Sequence, residues 1–246
     1  MALGIEQLER YKRHILLKEI GGPGVQKLRD GRVSIIGAGA LGGPCALYLA
    51  AAGVGQIEIW DDDLVDRSNL QRQIQFSDAD IGVQKVERLG ARLRALNPDL
   101  KITAKAERFG PGARVQGRVL IDASDNFETR FALNRMAHET GRVLVSGAAS
   151  GWNGQVAVYA SGRQAGAPCY QCFVPEPPPA AEACDEIGVM GALTGLIGAQ
   201  MALEAIKLIA GAGTPLIGRL LIYDGLTSES RVLQLHPNPD CSVCGA

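Results

Sequence analysis

A short β-branched run at 33–36 passes straight into Gly37-Ala-Gly39-Ala-Leu-Gly42, and nothing else in the chain narrows the fold as much. Such a run reads as a buried parallel strand, apolar because both its faces are covered. Gly37 and Gly39 let the backbone approach a phosphate, and Gly42 lets the following helix pack on the strand. A helix is expected at 44–52 and a second strand at 57–60, which ends at Asp61. Strand, glycine turn, helix, strand and acid make the opening βαβ unit of a Rossmann-like doubly wound α/β fold. Helix N-terminal amides then face an anion, and Asp61 can accept hydrogen bonds from ribose hydroxyls. Alone, this signal means an adenine nucleotide and does not separate NAD from ATP.

The remaining elements follow from apolar runs and breakers. Helices are expected at 6–17, 83–96, 128–140 and 189–210; the first is polar and basic, and Gly21-Gly-Pro-Gly24 is expected to break the chain after it. Further parallel strands are expected at 101–105, 119–122 and 143–146. After Gly154 come a strand at 155–159, a proline-rich irregular segment at 168–183, and two hairpin-like strands at 219–223 and 230–235. The fold class is therefore α/β, with a mostly parallel sheet and antiparallel C-terminal strands. We read 1–246 as one domain: an N-terminal helical segment at 1–30, a nucleotide-binding half at 31–150, and a second half at 151–246.

A second cluster separates the possible nucleotides. Ser68-Asn69-Leu-Gln-Arg72-Gln73 follows Asp61, Lys85 opens the next helix, and Asp125-Asn126 follows the strand at 119–122. All lie after strands, on the carboxyl edge where ligands sit in such sheets. A dehydrogenase has no use for Arg72, Lys85 and Asp125 there; a triphosphate does. ATP and a second anion repel one another. A cation about 4 Å from an anion is worth roughly 4 kcal/mol at an effective dielectric of about 20, so two or three cations plus Mg²⁺ offset that repulsion. Asp125 suits Mg²⁺, which prefers carboxylate oxygen.

Bulk charge agrees with a local anion site. The net charge is −1, without the broad basic field that holds nucleic acid or an anionic membrane. The N-terminus shows no apolar signal region, and the apolar stretch at 189–203 reads as a buried helix, too short and too polar for a membrane span.

Six cysteines sharpen the picture. Cys169-x-x-Cys172 and Cys241-x-x-Cys244 offer four thiolates in two chelating pairs, a structural Cys₄ zinc pattern. The 68 residues between the pairs mean that Zn²⁺ clips the C-terminus to the middle of the chain. In a chain of this length the pattern points to metal and a reducing cytoplasm. Cys45, inside an apolar helix, belongs to the core. Cys184 follows the proline-rich loop and is open to two readings, a nucleophile or persulfide carrier and a plain loop thiol; Asp185 and Glu186 beside it disfavour the thiolate. The histidines form no spacing pattern.

Together, Gly37-x-Gly39-x-x-Gly42, Asp61, SNLQRQ at 68–73, Lys85 and Asp125-Asn126 resemble the ThiF/MoeB/HesA group, bacterial relatives of the ubiquitin-activating enzymes. The opening Arg10-Tyr-Lys-Arg13-His-Ile-Leu-Leu resembles that group's first segment, and the likeness runs from about Leu8 to Cys244. It implies that Asp61 binds ribose, that Asn69, Arg72 and Lys85 contact phosphates with Gln73 beside them, and that Asp125 holds Mg²⁺. It implies that Arg13 reaches the ATP of the other subunit of a homodimer, and that in some members a cysteine at the place of Cys184 bonds to the carrier or its sulfur. The implied reaction is adenylation, by ATP, of the C-terminal glycine carboxylate of a small ubiquitin-like sulfur-carrier protein ending in Gly-Gly, ahead of thiocarboxylate formation for molybdopterin or thiamine synthesis. With no sulfurtransferase sequence after Ala246, the expected sulfur donor is a separate persulfide protein. Alternatives are adenylation of another peptide terminus, an inactive docking relative and an NAD-dependent oxidoreductase.

Overall fold

A computed structural model describes residues 3–177 and 188–245. Eight strands form one sheet in the order β3-β2-β1-β4-β5-β6-β7-β8. The first five are parallel: β1 (Arg32–Ile36), β2 (Gln56–Trp60), β3 (Lys101–Lys105), β4 (Val119–Asp122) and β5 (Val143–Ser150). The last three, β6 (Asn153–Tyr159), β7 (Arg219–Asp224) and β8 (Glu229–Gln234), add antiparallel. β1 and β4 are adjacent while their connections leave in opposite directions, which opens a crevice at their carboxyl ends.

Helices cover both faces. One side is packed by α3 (Gly21–Asp30), α4 (Gly42–Ala52), α5 (Lys85–Leu96) and α8 (Gly191–Ala210), around Leu28, Ile35, Leu49, Ile57, Leu89 and Ile197. The other is packed by α6 (Phe127–Glu139) and α7 (Tyr170–Phe173), around Leu120, Leu133, Leu144 and Tyr170. β4 is buried at all four positions because both of its faces are covered.

Four expectations need correction. Gly21 to Gly24 do not break the chain but open α3, where Pro23 sits in a first turn that needs no N–H and Val25 and Leu28 are fully buried. The helix expected at 6–17 is two, α1 (Ile5–Arg10) and α2 (Lys12–Ile15), because Tyr11 turns inward between them. Its ring lies against Gly53 and its hydroxyl accepts from Asn97 Nδ2 at 3.0 Å, a tertiary contact that outweighs helix propensity. β5 runs four residues beyond 146 into a hairpin with β6. Its Gly147 hid that extension, yet a side chain there would collide with Met201 of α8, so glycine is what lets the helix sit on the sheet. Finally, α8 is long enough and apolar enough, at a mean hydropathy of 1.4, to cross a membrane by composition alone. It packs on β5 and β6 instead and carries Glu204, which is fully buried and accepts from the Leu216 N–H at 2.8 Å.

Candidate active site

The glycine turn has the geometry its sequence implies. Gly37 has φ +100°, and a Cβ there would meet the Ala123 carbonyl of the β4 loop. A Cβ on Gly42 would strike the Gly37 carbonyl, so only glycine lets α4 start so close to β1. Gly39 is not sterically required: its nearest neighbour would be Gln73 Nε2 at 3.6 Å. It leaves the turn open toward the residues that follow β2.

Asp61 ties that turn to the second strand. One carboxylate oxygen accepts from the Ala38 N–H at 2.7 Å and the other from the Asp63 N–H at 2.9 Å. Burial raises its pKa, opposed by nearby Lys85 and by those two N–H groups. Lys85 opens α5 with its side chain almost wholly buried, and its Nζ lies 2.7 Å from Asp63 Oδ2. Arg72 is half-buried and donates to the Ser68 carbonyl at 3.0 Å; Asn69 lies in the same 3-10 turn. The start of α8 rests on this turn, since a side chain at Gly191 would meet the Gln71 carbonyl and Arg72. Gln73 is buried, and its Oε1 has no hydrogen-bond partner among the described residues.

Asp125 is exposed at the end of β4 and accepts from Asn126 Nδ2 at 3.3 Å. Asn126 also caps α6, its Oδ1 accepting from the Thr129 N–H at 2.9 Å. Beneath this loop lies a network the sequence reading missed. Buried Arg130 donates to Asp122 Oδ2 and Ser146 Oγ, both at 3.2 Å, and to the Ser124 and Gly147 carbonyls at 2.7 and 3.0 Å. Ser124 and Ser146 donate to Asp122 at 2.6 and 2.7 Å. Gln75 was missed too: its Nε2 donates to the Ala38 and Gly39 carbonyls, both at 3.0 Å, and pins the glycine turn. Its place two residues beyond SNLQRQ was the only available signal.

The structure therefore gathers Gly37, Gly39, Gly42, Asp61, Asn69, Arg72, Gln73, Lys85 and Asp125 at the carboxyl rim of β1, β2 and β4. No contact ties Arg13 to this group among the described residues. Tyr11, two residues earlier, packs by Gly53 at the far end of α4, about 16 Å along that eleven-residue helix from the glycine turn. Cys184 lies outside the described residues.

The four paired cysteines come together across the molecule. Their sulfurs all lie within 4.8 Å of one another, with Cys169–Cys241 at 3.5 Å, Cys172–Cys244 at 3.3 Å and Cys169–Cys172 at 4.0 Å. Zn–S bonds of about 2.3 Å set sulfurs about 3.8 Å apart in a tetrahedron, so this donor set fits one ion. The Asn238 N–H donates to Cys172 Sγ at 3.3 Å, and Asn134 Nδ2 lies 3.4 Å from Cys169 Sγ, partners that suit thiolates. Cys45 is fully buried and burial raises its thiol pKa, in keeping with a core role.

Fold and site together define a nucleotide-binding doubly wound domain whose C-terminal segment is clipped back by a four-sulfur cluster. The sequence matches the ThiF family over residues 11–243, and the chain belongs to that family. It is 41% identical over 251 residues to the SAMP-activating enzyme E1 of Haloferax volcanii, covering 100% of this chain and 92% of that protein. It is 41% identical over 248 residues to the sulfur carrier protein adenylyltransferase of Thermus thermophilus, covering 98% and 92%. Against the adenylyltransferase and sulfurtransferase MOCS3 of Aedes aegypti it is 42% identical over 98% of its own length, but spans only 56% of that longer protein. In shape it resembles crystal structures of Escherichia coli MccB; that with MccA-N7isoASN has a TM-score of 0.84 at 20% identity, over 97% of this chain and 75% of that one.

Proposed function

We propose that this chain is an adenylyltransferase that uses ATP to activate the C-terminal glycine carboxylate of a small ubiquitin-like sulfur-carrier protein. The observation that carries the reading is the buried ammonium of Lys85 beside Asp61 and the open glycine turn. In this reading the Lys85 ammonium, held at Asp63 and Asp61, would meet the triphosphate where the carrier's carboxylate arrives. The names of its long-range relatives in Haloferax and Thermus support the same chemistry.

In this reading residues 31–150 bind ATP, while 151–246 meet the carrier and hold zinc. The turn at 37–42 cradles phosphates, Asp61 accepts from ribose, and Asn69, Arg72, Gln73 and Lys85 contact the nucleotide. The carrier's carboxylate oxygen bonds to the α-phosphorus as the bond to the β-phosphate oxygen breaks, giving an acyl adenylate and pyrophosphate. No general base is needed, because a terminal carboxyl with a pKa near about 3.5 is already ionised at pH 7. Catalysis rests on placement and on charge neutralisation. Asp125 would hold Mg²⁺, which would shield the triphosphate. A persulfide sulfur then displaces AMP. Four of the five described cysteines form the cluster and Cys45 is buried, so none of these five suits that step; the sulfur comes from a separate persulfide donor, with Cys184 as a relay candidate. Tyr11, two residues before Arg13, packs at the far end of α4 from the glycine turn, which is in keeping with a homodimer whose sites each borrow the partner copy's arginine. A cluster of reduced thiols suits the cytoplasm, and the activated carrier would feed molybdopterin or thiamine synthesis.

ATP–pyrophosphate exchange with a panel of Gly-Gly-terminated carriers tests the reading. Carrier-dependent exchange is expected; its absence with folded, zinc-loaded protein rules the function out. The cluster gives a separate prediction. The purified chain should hold one zinc per molecule, and Cys241→Ser should release it and lower Tm by at least 10 °C, since closing such a site is a folding contribution. Full stability in a zinc-free protein would contradict this.

A further inference from the structure

Outside the residues assigned above, one charged side chain touches the site with geometry too constrained for an ordinary surface carboxylate. Asp63 is 64% exposed, yet its backbone is held on three sides. Its N–H donates to Asp61 Oδ1 at 2.9 Å, and its carbonyl accepts from the Lys85 N–H at 3.0 Å. The next residues pair antiparallel with the approach to α5: Leu64 bridges Gln84, the Val65 N–H donates to the Val83 carbonyl at 2.9 Å, and the Gly82 N–H returns to Val65 at 2.9 Å. The carboxylate is thus aimed by backbone that cannot drift, and it meets Lys85 Nζ at 2.7 Å.

An exposed ion pair ordinarily contributes little, because water screens it and two long side chains must be ordered. Here one partner is not exposed. The Lys85 side chain is only 6% accessible, and Asp63 is its one ion-pair partner among the described residues. A buried ammonium without a counter-ion turns to whatever anion remains. The next anion is Asp61, whose pKa already registers the Lys85 charge and whose two oxygens hold the glycine turn and the Asp63 N–H. Loss of the Asp63 carboxylate would draw Lys85 onto Asp61 and occupy two nucleotide contacts at once.

We infer that Asp63 is a positioning residue for ATP, holding the Lys85 ammonium off Asp61 and toward the phosphate side of the site. The inference rests on the proposed function for the identity of the nucleotide. Asp62 is its internal contrast. It is also exposed, and its carboxylate lies within 4.8 Å of both neighbours, yet it makes no hydrogen bond or ion pair among the described residues.

The test is a double-mutant cycle on equilibrium binding of Mg-ATP to the zinc-loaded chain, which needs no carrier. Asp63→Ala should weaken ATP about tenfold, Asp63→Glu should restore it to within about threefold, and Asp62→Ala should leave it unchanged. Lys85→Ala should weaken ATP by a similar factor, and Asp63→Ala/Lys85→Ala should bind no worse than Lys85→Ala alone, since one contact is being removed twice. Thermal melts of each variant separate a folding defect from a binding defect. Three results overturn the inference: unchanged binding in Asp63→Ala; tighter binding, which would make the carboxylate a mere repellent of phosphate; or fully additive losses in the double variant. A wild-type chain that fails to bind ATP would instead sink the proposed function and the inference with it, whereas wild-type binding with an indifferent Asp63 sinks the inference alone.

Discussion

Arg72→Ala should reduce carrier-dependent ATP–pyrophosphate exchange by about 10²–10³-fold, the usual loss when one fixed donor to a developing charge is removed. Arg72 is half-buried in the turn that follows the 3-10 helix Arg67–Asn69, and the only hydrogen bond its side chain makes among the described residues goes to the Ser68 carbonyl. Little of its side chain holds the fold together, so Tm should move by no more than about 2 °C. The deficit should fall mainly on kcat, because charge builds on the leaving pyrophosphate as the bond breaks. Arg72→Lys should recover only part of the rate, since an ammonium lacks the planar fork that grips two oxygens. Exchange at the wild-type rate in Arg72→Ala would remove Arg72 from the site.

Arg130→Met should cost about 3–5 kcal/mol, the penalty for stranding one member of a buried ion pair. Asp122 has no solvent exposure, and among the described residues only Ser124 and Ser146 besides Arg130 donate to it through their side chains. The variant keeps roughly the volume of the side chain but leaves the carboxylate without a cation and frees the Ser124 and Gly147 carbonyls. At about 2–4 °C per kcal/mol for a chain of this size, Tm should fall by roughly 10 °C. Because Ser124 is the residue before Asp125, the surviving folded fraction should also bind Mg-ATP more weakly. Arg130→Met/Asp122→Leu should recover much of the stability and little of the ATP affinity, which separates support of the fold from support of the site. A variant with wild-type Tm would show that the network is not needed.

How much of this was legible beforehand depends on whether a residue's job is local. The strands β1 and β4 announced themselves because burial on both faces demands a nearly continuous apolar run, and the helix that opens at Gly42 because its packing on β1 demands glycine there. The Cys₄ cluster was legible because chelation fixes the spacing within each pair, although nothing in the 68 intervening residues says that the pairs meet. Tyr11 and the extension of β5 were misread for the opposite reason. Asn97 and Gly53 decide the first, and Met201 decides the second, all remote in sequence.

The sequence by itself determined the class of fold and which residues gather at the carboxyl edge of the sheet, because each of these follows from a residue's own backbone needs and its position after a strand. Tertiary structure alone decided which charges face one another. It paired Lys85 with Asp63, buried Arg130 under Asp122 to set the Asp125 loop, brought Gln75 onto the glycine turn and packed Tyr11, two residues before Arg13, against Gly53 at the far end of α4. Electrostatic partnership depends on distance and on exclusion of water, and neither is a property of the order of residues along a chain.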